Sequence, residues 1–228
     1  RSGNGTAQTP GRQMNMKTLI KICGITNAED ALFAARAGAD ILGFIFAPGS
    51  PRCVTAETVR GIVDQLPGNV RKAGVFRNAE NRDIHHIMDF CGLDIVQLHG
   101  NETPEDALVL SLEYEVWKAI PFTSPEAFAL SQQFRDFTLL ADSDKQGNVC
   151  NWSLVQLPAR RRRVFLAGGI TVENAAHAVE TVCPAGLDVC SGVEKEPGLK
   201  NHERITQLIN RVRLADRIQE EYRERYAL

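Results

Sequence analysis

The sequence predicts an α/β fold, a single closed (β/α)8 TIM barrel, and three observations predict it. Short apolar runs suited to strands alternate with helical patterns along the chain. Eight such runs fit within 228 residues, a length that suits one barrel domain. Three of the runs share one form: Lys21-Ile22-Cys23-Gly24-Ile25-Thr26, Leu166-Ala167-Gly168-Gly169-Ile170-Thr171 and Leu187-Asp188-Val189-Cys190-Ser191-Gly192-Val193-Glu194. Each ends in reactive or small residues and then enters a helix, which sets the chemistry on one rim of a parallel sheet. The rival, an open doubly wound sheet, wants a G-x-G-x-x-G turn after its first strand, and none follows Cys23.

Taken in order, the first strand is expected at 19–23 and its helix at 28–37, with Thr26 three residues before Glu29 in capping-box spacing. Strand 41–46 leads through the stiff loop Pro48-Gly49-Ser50-Pro51-Arg52 to a helix at 56–66. Strand 71–76 precedes helix 80–90, and strand 94–98 precedes helix 104–112. Thr103-Pro104-Glu105 places a capping hydroxyl ahead of a proline at the first helical position. Ser124-Pro125-Glu126 repeats that arrangement between strand 115–120 and helix 125–135. Strand 137–141 is closed by Asp142, and the segment 152–157 behind it is only weakly helical. Strand 164–167, helix 172–182 with Thr171 as its cap, strand 186–190 and helix 202–214 complete the set.

The domain division follows. Residues 1–16 are polar and glycine-rich, a disordered leader or expression remnant, with Met14 or Met16 as a natural start. Residues 17–213 form the barrel, and 214–228 is a helical extension dense in Arg and Glu, in which Tyr222 and Tyr226 stand one turn apart. A formal charge of −2 supplies no reason to expect nucleic acid or an anionic membrane, so positive charge for an anionic ligand must be local. The run at 160–163 is basic but precedes strand seven, on the rim opposite the site, and reads as a solvated face. Six cysteines without C-x-x-C spacing or a histidine cluster point to reduced thiols, no metal and a cytoplasmic setting.

Side chains alternate along a strand, so parity sorts neighbours. Lys21 and Cys23 share a side opposite Ile20 and Ile22; Gln97 and His99 oppose Val96 and Leu98; Asp188 and Cys190 oppose Leu187 and Val189. The aliphatic set suits the sheet–helix interface, so the polar set faces the barrel interior, where it must be paired or used. Cys23 is a candidate reactive thiol, its pKa lowered by Lys21, or an inert core cysteine. Asp142 is a candidate general acid or a loop-turning aspartate. Gly168-Gly169 and Ser191-Gly192, after strands seven and eight, are a candidate phosphate site or two tight turns. Arg52 could clamp a carboxylate through its two-pronged guanidinium or lie on the surface. His99 could donate to a substrate or satisfy interior acceptors, and His85 and His86 read as exposed helix residues.

These residues, in order and spacing over about 17–210, resemble the phosphoribosylanthranilate isomerase family of tryptophan biosynthesis. The match includes 21–26, Ala37-Gly38-Ala39-Asp40, Gly43-Phe44-Ile45-Phe46, Pro48, Ser50, Arg52, Gly74-Val75-Phe76, Val96-Gln97-Leu98-His99-Gly100, Asp142, Ala167-Gly168-Gly169-Ile170, 188–194 and Pro197-Gly198. The resemblance implies an Amadori rearrangement of N-(5-phosphoribosyl)anthranilate. It implies Cys23 as base at ribose C2 and Asp142 as acid at the ring oxygen. It implies Arg52 on the anthranilate carboxylate, phosphate at Gly168, Gly169, Ser191 and Gly192, and no cofactor. Lys21, Gln97, His99 and Asp188 are expected to line the substrate site. The expected partner is a small phosphorylated substrate, with the chain a monomer or weak homodimer.

One stretch departs from the family. Where a glycine-rich segment and Phe-Asp-Trp are usual, this chain reads Ser143-Asp144-Lys145-Gln146-Gly147-Asn148-Val149-Cys150-Asn151-Trp152. Two alternatives follow from it: an isomerase for a related phosphoribosyl amine, and a barrel that binds a sugar phosphate without turnover. Rates on both substrate types separate the first, and calorimetric binding without turnover identifies the second.

Overall fold

The computed structural model describes residues 17–143 and 150–226; the expected leader, the centre of the altered loop and the last two positions of the expected extension lie outside them. Eight strands pair in parallel, each with its chain neighbour, and β8 closes on β1 to complete the barrel. They are β1 (Leu19–Cys23), β2 (Ile41–Ile45), β3 (Arg71–Phe76), β4 (Ile95–Leu98), β5 (Glu115–Pro121), β6 (Thr138–Asp142), β7 (Val164–Leu166) and β8 (Gly186–Val189). The helices between them are α1 (Ala28–Ala37), α2 (Ala56–Val63), α3 (Asn81–Cys91), α4 (Pro104–Leu110), α5 (Glu126–Gln133), α6 (Trp152–Arg161) and α7 (Ala175–Val182). A short antiparallel hairpin, β9 (Glu194–Glu196) and β10 (Leu199–Lys200), precedes α8 (His202–Tyr226).

The two faces of each strand bury against different partners, which is why parity identified them. Ile20, Ile22, Leu42, Phe44, Val96 and Leu187 face the helices in the larger core cluster. Burying each such side chain stabilises the fold by roughly 1.5–3 kcal/mol. Ile41, Ala73, Ile95, Trp117, Leu140 and Phe165 fill the lower barrel as a second cluster. Trp117 and Phe165 lie 4.2 Å apart at its centre. Above this apolar plug the inward positions turn polar, and there the site begins.

Four local expectations need correction. Thr26 does not cap α1; its hydroxyl donates to Gly198 O at 2.6 Å, and Asn27 accepts from Asp30 N–H instead. Asn27, one residue nearer the helix and with the longer side chain, reaches the first turn, while Thr26 ties β1 to the hairpin. Ser124 is not the cap of α5, which starts at Glu126 behind Pro125. Thr171 closes a turn rather than a helix, accepting from Glu173 N–H, and α7 starts at Ala175. The weakly helical stretch after β6 is a ten-residue helix, capped by Asn151, which accepts from Ser153 N–H. Thr103 does cap α4, in a full capping box with Asp106.

One continuous helix, α8, covers the expected last helix and the described part of the charged extension. Tyr222 and Tyr226 are exposed and pack on each other, ring centres 4.5 Å apart. All six cysteines carry free thiols. Among the described residues no helix is long and apolar enough to cross a membrane.

Candidate active site

Four strand ends supply the inward polar groups at one rim. β1 ends at Cys23 and β6 at Asp142; His99 directly follows β4, and Cys190 directly follows β8. Cys23 is 5% exposed. In register it faces Gly43 of β2, and a Cβ there would stand 2.7 Å from Cys23 Sγ and 3.0 Å from Lys21 Nζ. Glycine at 43 therefore makes the room in which thiol and ammonium coexist.

Lys21 lies below that thiol, fully buried, and donates to Asp188 Oδ1 at 2.8 Å. The two are register partners on β1 and β8, so the barrel closure itself creates the pair. A buried ammonium needs such a partner, because an unpaired ion in the interior is prohibitively costly. The expectation that Lys21 lowers the Cys23 pKa is met only in part. Burial pushes the thiol above its ordinary value; Lys21 pulls back and Asp188 pushes further up. The resting site thus holds a thiol rather than a thiolate.

On the other side of the mouth, Asp142 Oδ1 accepts from Ser143 N–H at 2.7 Å. Its Oδ2 lies 3.0 Å from His99 Nε2, and His99 Nδ1 is 3.1 Å from Gln97 Nε2. Carboxyl, imidazole and amide form one line running into the barrel, which fixes the direction of the Asp142 side chain. The segment after His99 is pinned from below by Glu102. That carboxylate accepts from Asn78 N–H (2.7 Å), Gly100 N–H (2.8 Å) and Lys118 Nζ (2.6 Å). Sequence reasoning singled out neither Glu102 nor Lys118; a lysine in the middle of the otherwise apolar run 116–120 was the available signal.

Arg52 meets a carboxylate, but one of the chain's own. Its Nε and Nη2 donate to Glu194 Oε1 and Oε2 at 2.8 and 2.6 Å, leaving Nη1 without a partner among the described residues. Lys200 Nζ and Gly198 N–H add donors to Oε1. Burial alone would raise the Glu194 pKa, yet Arg52 and Lys200 outweigh it and hold the carboxyl at about 2. Lys200 went unremarked in the sequence, although Pro197-Gly198 between two charged positions marks the hairpin that folds it back onto Glu194. The sign of the pH effect follows. This cluster stabilises the fold fully above pH 4.5, the ordinary carboxyl value, and less as pH falls towards 2. Glu194→Gln is expected to remove that part of the acid dependence, read as the urea midpoint against pH.

The two loops proposed for phosphate come together. Gly168 and Gly169 both have positive φ, 69° and 83°, and the space above Gly169 is open. Asn174 braces the loop, donating to Gly169 O and accepting from Thr171 N–H, each at 2.8 Å. A Cβ on Gly192 would collide with Ile170 O, so glycine there lets the loop after β8 press against the loop after β7. Ser191 opens a single 3-10 turn beside them. Gly168 also makes room for Asp142: a Cβ would meet Ser143 N and come within 2.7 Å of Asp142 Oδ1. Gly168→Ala is expected to cost about 1 kcal/mol or more of stability. It should also lower kcat by displacing Asp142, measured by urea unfolding and steady-state rates.

A closed (β/α)8 barrel with a thiol, a carboxyl and two glycine loops gathered on the C-terminal rim has the form of a barrel enzyme. A family model described as N-(5'phosphoribosyl)anthranilate (PRA) isomerase matches residues 20–211, and the chain belongs to that family. It is 41% identical over 196 residues to the N-(5'-phosphoribosyl)anthranilate isomerase of Pelobacter propionicus, covering 83% of this chain and 93% of that protein. Solved structures agree. One is a phosphoribosyl anthranilate isomerase in complex with reduced 1-(o-carboxyphenylamino)-1-deoxyribulose 5-phosphate, at TM-score 0.80 and 38% identity, covering 86% of this chain and 98% of that one. Another is a monomeric form of the dimeric isomerase from Thermotoga maritima, at TM-score 0.79 and 39% identity, with the same coverage.

Proposed function

We propose that Cys23 and Asp142 carry out the reaction of this family, the Amadori rearrangement of N-(5'-phosphoribosyl)anthranilate to 1-(2-carboxyphenylamino)-1-deoxyribulose 5-phosphate. The observation that supports the pairing is a thiol from β1 and a carboxyl from β6 at the same rim of one barrel. Asp142 gives its proton to the ring oxygen as the bond from that oxygen to C1 opens, leaving an iminium. Cys23, as thiolate, takes the proton from C2 and leaves an enolamine, which tautomerises to the ketone. The product is an isomer of the substrate, so the balance needs no cofactor. Each positioned proton transfer contributes roughly 10²–10⁴-fold.

The remaining polar residues hold the two anionic ends and the catalytic pair. Arg52, steadied by Glu194, offers Nη1 to the anthranilate carboxylate. Gly168, Gly169, Ser191 and Gly192 offer backbone N–H groups to the phosphate. His99 orients Asp142 and borders the substrate; Lys21, Asp188 and Gln97 act from beneath through Cys23 and His99. Freshly made phosphoribosylanthranilate is expected to lose its fluorescence when the purified protein is added; unchanged fluorescence at high protein concentration would refute the assignment. For setting and assembly we propose a cytoplasmic monomer or weak homodimer without nucleic-acid or membrane partners, which sedimentation across a concentration series checks.

A further inference from the structure

At the opposite end of the barrel, where the strands begin, lies a cavity of about 770 Å³. Its walls are the outer half of α8, the link from α6 to β7 and the link from α7 to β8. Among the described residues, eight cationic side chains and two carboxylates, Asp216 and Glu220, line it. The lining is therefore six positive in a chain whose formal charge is −2, so the remainder of the molecule is net negative. A concave surface of one sign concentrates counter-ions.

Part of this charge has a structural use. Arg162 donates Nη1 to Ser131 O at 2.9 Å and Nη2 to the carbonyls of Phe134 and Phe137, which stitches the end of α5 to the barrel. Arg213 and Lys17 both pair with Asp40, and Arg163 approaches Glu115. Arg160 and Arg161 also sit in the last turn of α6, where cations complement the carbonyl end of a helix. That interaction does not require the α8 side of the cavity to be basic. Arg160, Arg161 and Arg217 still have no partner among the described residues, although they come from two separate helices and line the same space. The buried Nε of Arg162, in the same lining, also lacks an acceptor.

We propose that this cavity binds a small molecule carrying two or more phosphate groups. Guanidinium forks match phosphate oxygens two at a time. The cavity falls within the usual size of small-ligand pockets, about 300–1,000 Å³. The three guanidiniums without a partner among the described residues carry more charge than a single phosphate neutralises. The chain's own first sixteen residues carry Arg1 and Arg12 and no acidic residue, so they offer this lining no counter-charge. Among the described residues no aromatic side chain lines the space, so stacking of bases contributes nothing and recognition rests on the phosphates. The catalytic rim is at the other end of the barrel, so ligand and substrate bind independently, and the ligand stabilises the folded chain by mass action.

Calorimetry on the full chain with pyrophosphate, a nucleoside triphosphate and inorganic monophosphate tests this. Pyrophosphate and the nucleotide are expected to bind alike, at least about tenfold tighter than monophosphate, and to weaken as salt rises. The triple variant Arg160→Gln/Arg161→Gln/Arg217→Gln should lose at least about tenfold in affinity for both while keeping wild-type isomerase rates. Filling the catalytic mouth with reduced 1-(o-carboxyphenylamino)-1-deoxyribulose 5-phosphate should leave the pyrophosphate heat unchanged. The proposal is overturned by no heat, by heat that survives in the triple variant, by heat that the analogue abolishes, or by far tighter binding of a single-stranded oligonucleotide.

Discussion

Cys23→Ser is expected to lower kcat by about 10²–10⁴-fold, the usual contribution of one positioned base, with little change in KM. The substitution keeps the size and shape of the side chain in the space that Gly43 leaves open. It exchanges a thiol for a hydroxyl that no neighbouring cation can ionise near neutral pH. Far-ultraviolet dichroism and the melting temperature should remain close to wild type, because Lys21 keeps Asp188 as its ion-pair partner. The wild-type pH profile offers an independent readout. Burial holds the thiol above its ordinary value of 9.0, so the fraction of thiolate, and with it kcat/KM, should still be climbing at about pH 9. The serine variant should lose that climb. Wild-type turnover in Cys23→Ser would remove the thiol from the reaction.

Asp142→Asn should be as severe, again about 10²–10⁴-fold in kcat. The amide oxygen can still accept from Ser143 N–H, and the amide nitrogen can still meet His99, so shape and fold should survive. What is lost is a proton that can be given to the ring oxygen. Binding of the reduced product analogue should change by less than turnover does, because its ring is already open. If both fell together by the same factor, Asp142 would be a binding residue and not the acid.

Much of this site was legible in the chain before folding was considered. Parity along β1, β4 and β8 separated Lys21, Cys23, Gln97, His99 and Asp188 from the aliphatic positions, because a strand closed into a barrel must point alternate side chains at two different environments. The expected strands match the observed ones to within one residue at each end. The cap of α1 was misread, since a hydroxyl at a helix start is claimed by whichever donor or acceptor the fold brings nearest, and here that is the Gly198 carbonyl. The helix after β6 was underrated because Pro158 interrupts its pattern, yet packing of Val155 and Ala159 against the sheet carries it through.

Alternation, glycine placement and chain order belong to the sequence, because they arise from bond geometry and short-range sterics; they announced a barrel and the rim on which Cys23 and Asp142 stand. Which partner each charge finds is a matter of three-dimensional closure. Lys21 meets Asp188 only because β8 closes on β1, Arg52 meets Glu194 only because a hairpin turns back at Gly198, and His99 meets Asp142 across β5. Each of these pairs is separated by more than forty residues, and Coulomb attraction between side chains depends on distance through space, which local sequence does not encode.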